Sequence, residues 1–101
     1  MQKESEKVIE RKLVDLVKQS GGMCIKLLST HLTGLPDRMC LLPGSKITFV
    51  ELKSTGEKPR PSQVYIHKKL RALGFRVEVI DTLEGVHNLI ENIKYGDRNT
   101  N

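Results

Sequence analysis

The pattern of apolar and polar positions along the 101-residue chain predicts seven secondary-structure elements. Residues 4–19 have the spacing of an amphipathic helix that Gly21-Gly22 ends, and residues 23–28 form a β-type run. The apolar positions expected to face inward in this first helix are Ile9, Leu13, Leu16 and Val17.

Two further apolar runs, residues 39–42 and 47–50, are separated by a proline-glycine turn, which is typical of a β-hairpin. Asp37 precedes the first run, and Glu51 and Lys53 lie at the end of the second. Antiparallel pairing brings all three to one end of the hairpin. Because strand side chains alternate, Glu51 and Lys53 share a face. The pattern therefore predicts two carboxylates and an ammonium close together.

The second half of the chain continues with a helix, a strand and a helix. Residues 62–73 have helical spacing ended by Gly74, and residues 75–80 alternate as a strand does. Asp81, with Glu84 three residues later, resembles a capping box that starts the last helix. The expected inward positions are Ile66, Leu70 and Leu73 in the earlier helix, and Val86, Leu89, Ile90 and Ile93 in the later one.

The predicted order, α-β-β-β-α-β-α, indicates an α/β protein with a small mixed β-sheet flanked by helices. A hairpin followed by a strand–helix–strand crossover makes the last strand parallel to its neighbour. A chain of 101 residues suffices for one modest core. We expect one domain over residues 1–95, followed by a polar tail over residues 96–101.

Composition narrows the setting in which the protein works. No apolar run approaches the roughly 18–20 residues that span a bilayer, and the first residues are too charged for a signal peptide, so we expect a cytoplasmic protein without a membrane partner. Cys24 and Cys40 are expected to be free thiols rather than a disulfide. The three histidines fit no zinc pattern.

The net charge of +5 is concentrated in the middle of the chain. Residues 53–76 carry seven basic residues and one acidic residue, whereas residues 77–101 carry two and five. A basic segment of this kind predicts a surface that faces a polyanion, with a solvated helix face as the alternative. The candidate contacts are Lys58, Arg60, Lys68, Lys69 and Arg71.

The predicted cluster at the end of the hairpin indicates a metal-assisted reaction. Carboxylates such as Asp37 and Glu51 are the ligands that Mg²⁺ prefers. An ammonium beside them, such as that of Lys53, can orient a water and offset charge on a transition state. Together with a basic surface, these features point to phosphodiester hydrolysis, although Glu-x-Lys alone is also common on solvated strands.

These motifs together resemble the PD-(D/E)XK nucleases, and within them the VRR-NUC domain in its stand-alone form. The resemblance covers Glu6 and Glu10 in the first helix, the residues 34–38 (Gly-Leu-Pro-Asp-Arg), the residues 49–53 (Phe-Val-Glu-Leu-Lys) and Gln63. It implies a restriction-endonuclease-like fold.

The resemblance also implies roles for individual residues. Asp37 and Glu51 would bind Mg²⁺ or Mn²⁺ together with the main-chain carbonyl of Leu52, and Lys53 would position or activate the water. Gln63 matches a supporting position of the site, although by itself it reads as an exposed residue of a first helical turn. Glu6 and Glu10 both suit the position of the helix-one acid, and the choice stays open.

The implied activity is a structure-selective DNA endonuclease. Small members of the family are similar to Holliday-junction resolvases that work as homodimers on four-way junctions. The resemblance is to the phage type of stand-alone domain, and whether a phage, a prophage or a host repair system uses this chain stays open. The alternatives are cleavage of flaps or other branched DNA, and a non-catalytic nucleic-acid-binding module. A sequence-specific restriction-type nuclease is disfavoured because nothing resembles a recognition domain.

Overall fold

The computed structural model describes residues 2–96 and confirms the predicted order of elements. The helices are α1 (Glu6–Gln19), α2 (Pro61–Ala72) and α3 (Leu83–Tyr95), and the strands are β1 (Met23–Lys26), β2 (Arg38–Leu42), β3 (Lys46–Leu52) and β4 (Arg76–Ile80). Of the predicted tail over residues 96–101, all but Gly96 lies outside the described residues.

The four strands form one mixed sheet in the order β1-β2-β3-β4. The first two pairs are antiparallel and the β3–β4 pair is parallel, as the hairpin and the crossover predict. The β2–β3 register pairs Arg38 with Val50. One residue further out, the same register places Asp37 opposite Glu51, at the open end of the hairpin.

One face of the sheet is covered by α1 and α3, and this side holds the hydrophobic core. All four predicted apolar positions of α3 are buried, and so are three of the four in α1, with Leu16 partly buried beside them. The core residues are Ile9, Leu13 and Val17 of α1, Cys40, Leu42, Val50, Leu52 and Ile80 of the sheet, and Val86, Leu89, Ile90 and Ile93 of α3.

The opposite face of the sheet is covered in part by α2. Val50 and Leu52 point into the core, so Glu51 between them points to the other side, where Gln63 and His67 of α2 are buried with Ile66. This second layer is small and contains polar side chains. The sheet therefore separates an apolar core from a polar, buried contact.

Two local predictions are wrong. The N-cap of α3 is Thr82 rather than Asp81, because the Thr82 hydroxyl accepts a hydrogen bond from the Gly85 N–H, whereas Asp81 accepts one from Gly56 instead. Leu73, predicted to face inward, is 74% exposed and is the C-cap residue of α2, which ends at Ala72. Both errors lie at helix ends, the positions that sequence patterns place least precisely.

Both cysteines are free, as expected. They are directly paired across β1 and β2, with 3.8 Å between the two sulfur atoms. Among residues 2–96, none of the helices combines the length and the apolar character needed to cross a bilayer.

Candidate active site

Asp37 is fixed at the open end of the hairpin by the backbone of β3. Its Oδ2 accepts a hydrogen bond of 2.8 Å from the Leu52 N–H, and its own carbonyl accepts one of 2.9 Å from the Leu27 N–H. A hydrogen bond from a backbone amide to a carboxylate orients the side chain as well as stabilising its charge. The position predicted for Asp37 next to Glu51 is therefore held by the sheet itself.

The turn before Asp37 is closely packed against α2, and this contact requires glycine. Gly34 has φ +95° and lies so near the Ser62 carbonyl that a Cβ there would be 2.3 Å from the Ser62 oxygen. Only glycine combines this backbone conformation with that approach. The Gly-x-Pro-Asp segment thus positions the start of α2 as well as the carboxylate.

Glu51 is the most constrained polar residue of the site, with only 1% of its surface exposed. Its Oε2 accepts a hydrogen bond of 2.9 Å from Gln63 Nε2 and lies 3.4 Å from Lys53 Nζ. Its Oε1 is buried and has no hydrogen-bond partner, with His67 Nε2 at 3.6 Å. In a structural ion pair, a buried carboxylate oxygen normally has a hydrogen-bond partner, so the unpartnered Oε1 is unusual.

The environment of Glu51 favours its protonated form. Burial, together with the negative charge of Asp37, raises the pKa of Glu51 to about 7. The Lys53 ammonium lowers this pKa but does not offset the other two effects. Two carboxyl groups that share a site disfavour simultaneous ionisation unless a positive charge is added. The pair is therefore suited to receive a cation.

Lys53 lies at the end of β3, as the alternation of the strand predicts. Its backbone N–H donates to the Ile80 carbonyl at 3.0 Å, so β4 fixes the main chain there. Its side chain is mostly buried and shares a face with Glu51. The ammonium is therefore held beside the two carboxylates rather than in bulk solvent.

The two candidate acids of α1 have different surroundings. Glu10 is bound to Arg38, with 2.8 Å between Glu10 Oε2 and Arg38 Nε. Glu6 is exposed, but burial of part of its side chain raises its pKa, and the charge of Asp37 raises it too, while Lys53 lowers it. Its backbone N–H also donates to the Ser54 hydroxyl at 3.2 Å, which links α1 to the segment after β3. The charges of Asp37 and Lys53 thus act on Glu6, whereas Glu10 is paired with Arg38.

Gln63 is buried, contrary to the exposed position that its place in a first helical turn suggests. While its Nε2 donates to Glu51, its Oε1 accepts a hydrogen bond of 2.8 Å from the Arg60 N–H at the start of α2. The side chain therefore closes the helix end and contacts the buried carboxylate at the same time.

His67 belongs to this contact and is absent from the residues predicted from sequence. It is 2% exposed and lies one helical turn after Gln63, on the same face of α2. Burial lowers its pKa, and the nearby charges of Arg71 and Lys53 lower it further. The i, i+4 spacing from Gln63 is the sequence signal that identifies it, once Gln63 itself is placed in the site.

The predicted nucleic-acid contacts remain accessible. Lys58, Arg60, Lys68, Lys69 and Arg71 are all exposed on the segment that leads into α2 and along the helix. Two of them have contacts of their own: Lys69 Nζ lies 5.3 Å from the centre of the Tyr65 ring, and Arg71 Nη2 donates to the Val77 carbonyl at 2.8 Å.

Comparison with known proteins gives the family of this chain. No family model matches it. A protein of Acyrthosiphon pisum secondary endosymbiont phage 1, described as "Putative nuclease p44", is 47% identical over 77 residues, which cover 76% of this chain and 83% of that protein. A solved structure described as a VRR_NUC domain matches with a TM-score of 0.80 at 30% identity, covering 87% of this chain and 97% of the other. The chain belongs to the VRR-NUC family of nucleases.

Membership in the VRR-NUC family confirms the resemblance inferred from the motifs. It also confirms the fold class, since the four-stranded mixed sheet with flanking helices matches the VRR-NUC fold of the PD-(D/E)XK type. The match covers most of the chain and therefore includes the hairpin that carries Asp37 and Glu51.

The acidic residues of this VRR-NUC chain fit a divalent cation that is bound by few protein ligands. Within residues 2–96, no three His, Cys, Asp or Glu side chains group closely enough to form a metal cluster on their own. Mg²⁺ is often bound through one or two carboxylates, with water and phosphate oxygens completing the shell. Asp37 and the unpartnered Oε1 of Glu51 meet that requirement.

Proposed function

We propose that this protein is a divalent-metal-dependent DNA endonuclease that cleaves branched DNA, with resolution of Holliday junctions by a homodimer as its first activity. The observation that carries the proposal is the buried Glu51 carboxylate, which has one unpartnered oxygen beside Asp37 and an ammonium at 3.4 Å. A structural ion pair needs neither the second acid nor the free oxygen.

In this proposal Asp37 and Glu51 would hold Mg²⁺ or Mn²⁺, with the Leu52 carbonyl as a further ligand and Glu6 as the acid from α1. A divalent ion in such a site supplies a Lewis acid that neutralises phosphate charge and favours ionisation of a water. Since Asp37 is fixed by the Leu52 N–H and Glu51 by Gln63, the two carboxylates keep their positions before DNA arrives.

Lys53 orients the attacking water and stabilises negative charge on the phosphate as the P–O bond breaks. A positive group held in place needs no rearrangement at the moment of reaction, which is the source of its catalytic effect. The position of Lys53 is set by the hydrogen bond of its backbone to β4 and by its contact with Glu51.

The basic residues of α2 and of the segment before it are proposed to bind DNA phosphates. Three of these residues are exposed and lie before and along α2: Lys58, Arg60 and Lys68. Because the start of α2 also places Gln63 against Glu51, a DNA backbone bound to these residues would pass close to the carboxylates. The two-fold symmetry of a four-way junction matches that of a homodimer presenting two such sites. Cleavage of flaps is the alternative within the same chemistry.

The decisive experiment is a cleavage panel of four-way junction, flap, splayed and linear duplex DNA, with Mg²⁺, with Mn²⁺ and with EDTA. We expect metal-dependent nicking that is strongest on the junction. Glu51→Gln and Lys53→Ala should abolish nicking while junction binding in EDTA is retained. Lys18→Ala, which removes an exposed lysine at the far end of α1, is the charge-matched control and should cleave as the wild type does.

The outcomes separate the candidate functions. Strongest cleavage of flaps would replace junction resolution by flap cleavage, and salt-dependent binding without turnover on any substrate would leave a nucleic-acid-binding module. Mass measurement by light scattering in the same buffers tests the homodimer, which requires twice the 11.4 kDa of the chain.

A further inference from the structure

The buried face of α2 contacts both oxygens of Glu51, and only one of these contacts is a complete hydrogen bond. Gln63 Nε2 donates to Oε2 at 2.9 Å, whereas His67 Nε2 lies 3.6 Å from Oε1. Both His67 Nε2 and Glu51 Oε1 are buried without a hydrogen-bond partner. The two unpartnered atoms thus face each other across a gap slightly longer than a hydrogen bond.

An ordinary core histidine does not account for this arrangement. A buried polar atom without a partner costs about 1–3 kcal/mol, and an apolar side chain of similar size would avoid that cost. A shift of roughly 0.5–1 Å would bring the two atoms to hydrogen-bond distance. Since the imidazole can carry a proton on Nε2 in either its neutral or its charged form, donation to Glu51 does not depend on the charge of the ring.

The partner of His67 is the carboxylate that the proposed function assigns to the metal. A carboxylate oxygen has two lone-pair sites, so Oε1 can accept from His67 and still bind a cation. Groups that hydrogen-bond a metal ligand orient it, and losing one commonly weakens metal binding 10- to 100-fold. His67 stands in that relation to Glu51, one helical turn from Gln63, which holds the other oxygen.

We propose that His67 is a positioning residue whose Nε2–H donates a hydrogen bond to Oε1 of Glu51. Since Gln63 donates to Oε2, α2 then binds both carboxylate oxygens and keeps Glu51 oriented towards Asp37. This inference rests on the proposed function, because the two hydrogen bonds from α2 would orient Glu51 for metal binding. It also makes the docking of α2 a requirement for the metal site, since Gln63 and His67 both come from that helix.

Two substitutions of His67 separate its hydrogen bond from its volume. Glutamine keeps an N–H donor near the position of Nε2, whereas leucine keeps the bulk and removes the donor. We expect His67→Leu to weaken Mn²⁺ binding 10- to 100-fold in calorimetric titration, and His67→Gln to stay within about threefold of the wild type. In EDTA, His67→Leu should still unfold in urea in a single cooperative transition, so that weaker Mn²⁺ binding is measured on a folded protein.

The titration distinguishes failure of this inference from failure of the proposed function. Mn²⁺ binding by the wild type and equally tight binding by His67→Leu would overturn the positioning role alone. Equal weakening by the leucine and glutamine variants would also overturn it, because the donor would then have no effect. If the wild type binds no Mn²⁺, the proposed function fails, and the positioning role fails with it.

A measurement on the metal-free wild type covers the case in which His67→Leu does not fold. Nitrogen-15 NMR of the imidazole should show the proton of His67 on Nε2, and Glu51→Gln should shift the Nε2 resonance. A neutral ring with its proton on Nδ1, or a resonance that Glu51→Gln leaves unchanged, would overturn the proposal.

Discussion

Single residues of the site differ through their surroundings more than through their chemistry. Glu51, Glu6 and Glu10 are all glutamates, yet Glu51 is buried between two elements, Glu6 lies within the influence of the Asp37 and Lys53 charges, and Glu10 is bound to Arg38. Burial and neighbouring charge change the free energy of the ionised form, and this sets what each carboxylate can bind. We therefore expect Glu51 to affect the pH dependence of stability, and Glu6 and Glu10 to differ in their effect on cleavage.

Glu51 should make the stability of the metal-free protein depend on pH. Its pKa is raised from 4.5 to about 7, so the folded state holds a proton that the unfolded chain loses first. The stability linked to that proton is complete below about pH 4.5 and is lost as pH rises through 7, a change of about 3 kcal/mol. Glu51→Gln should remove this dependence, as measured by urea unfolding in EDTA from pH 4.5 to 8.5.

The control for this pH profile is Glu57→Gln, which changes an exposed glutamate. Its profile should follow that of the wild type closely. A Glu51→Gln curve parallel to the wild-type curve would contradict the burial of an unneutralised carboxylate.

Glu6 and Glu10 should separate in a kinetic comparison. We expect Glu6→Gln to reduce cleavage about 10- to 100-fold at limiting Mg²⁺, because Glu6 lies within the influence of the Asp37 charge. Glu10→Gln should retain activity and instead lose about 1 kcal/mol of stability, because the ion pair with Arg38 is lost while Arg38 keeps its hydrogen bond to the Cys24 carbonyl. Initial rates against Mg²⁺ concentration and urea unfolding measure the two effects. The reverse pattern would assign the α1 acid to Glu10.

At the scale of elements, the site depends on how α2 docks against the hairpin. The hairpin supplies Asp37, Glu51 and Lys53. Gln63 and His67 come from α2, which packs on the sheet face opposite the apolar core, where Glu51 points. The close approach at Gly34 joins the two elements next to Asp37. A change at that contact should therefore affect stability and site geometry together.

Gly34→Ala should be more harmful than the same change at Gly74. Both glycines have positive φ, of +95° and +96°, so alanine costs about 1–2 kcal/mol of backbone strain at either position. At Gly34 the new Cβ also meets the Ser62 backbone, which adds about 1–3 kcal/mol, whereas nothing lies within 4 Å at Gly74. Urea unfolding followed by circular dichroism measures the difference. Equal losses would show that the approach of α2 is looser than the structure has it.

At the scale of the whole molecule, the sheet lies between the apolar core, which stabilises the fold, and the polar residues of the candidate site. The apolar core lies between the sheet and the pair α1 and α3, while the buried polar contact with α2 lies on the other face. The candidate acidic residues of the site and the exposed basic residues lie together at the start of α2. A polyanion attracted by the basic surface would thereby be delivered to the carboxylates.

The basic surface should set the salt dependence of DNA binding. Lys58→Gln combined with Lys68→Gln should reduce the slope of log affinity against log salt by about 1.8, since each lost phosphate contact accounts for roughly 0.9. The control is Lys18→Gln combined with Lys94→Gln, two exposed lysines in the last turns of α1 and α3. Fluorescence anisotropy of a labelled junction in EDTA measures the slopes. Equal slopes for the two double variants would contradict a localised DNA surface.

Sequence by itself determined the elements and the centre of the site. Helical spacing placed the buried residues of α1 and α3, and alternation with a turn placed the hairpin, because both patterns are local consequences of backbone geometry. The pairing of Asp37 with Glu51 followed from the hairpin alone. The family motif then added Gln63, which its local context describes as exposed.

Only the tertiary structure decided the contacts between elements distant in sequence. It placed Glu6 within the influence of the Asp37 and Lys53 charges and Glu10 beside Arg38, made Thr82 the N-cap of α3, and brought His67 to Glu51. Periodicity shows which residues share a helix face, but not which partner that face meets. That choice depends on how whole helices pack on the two faces of the sheet, and in this protein it determines how the central carboxylate is held.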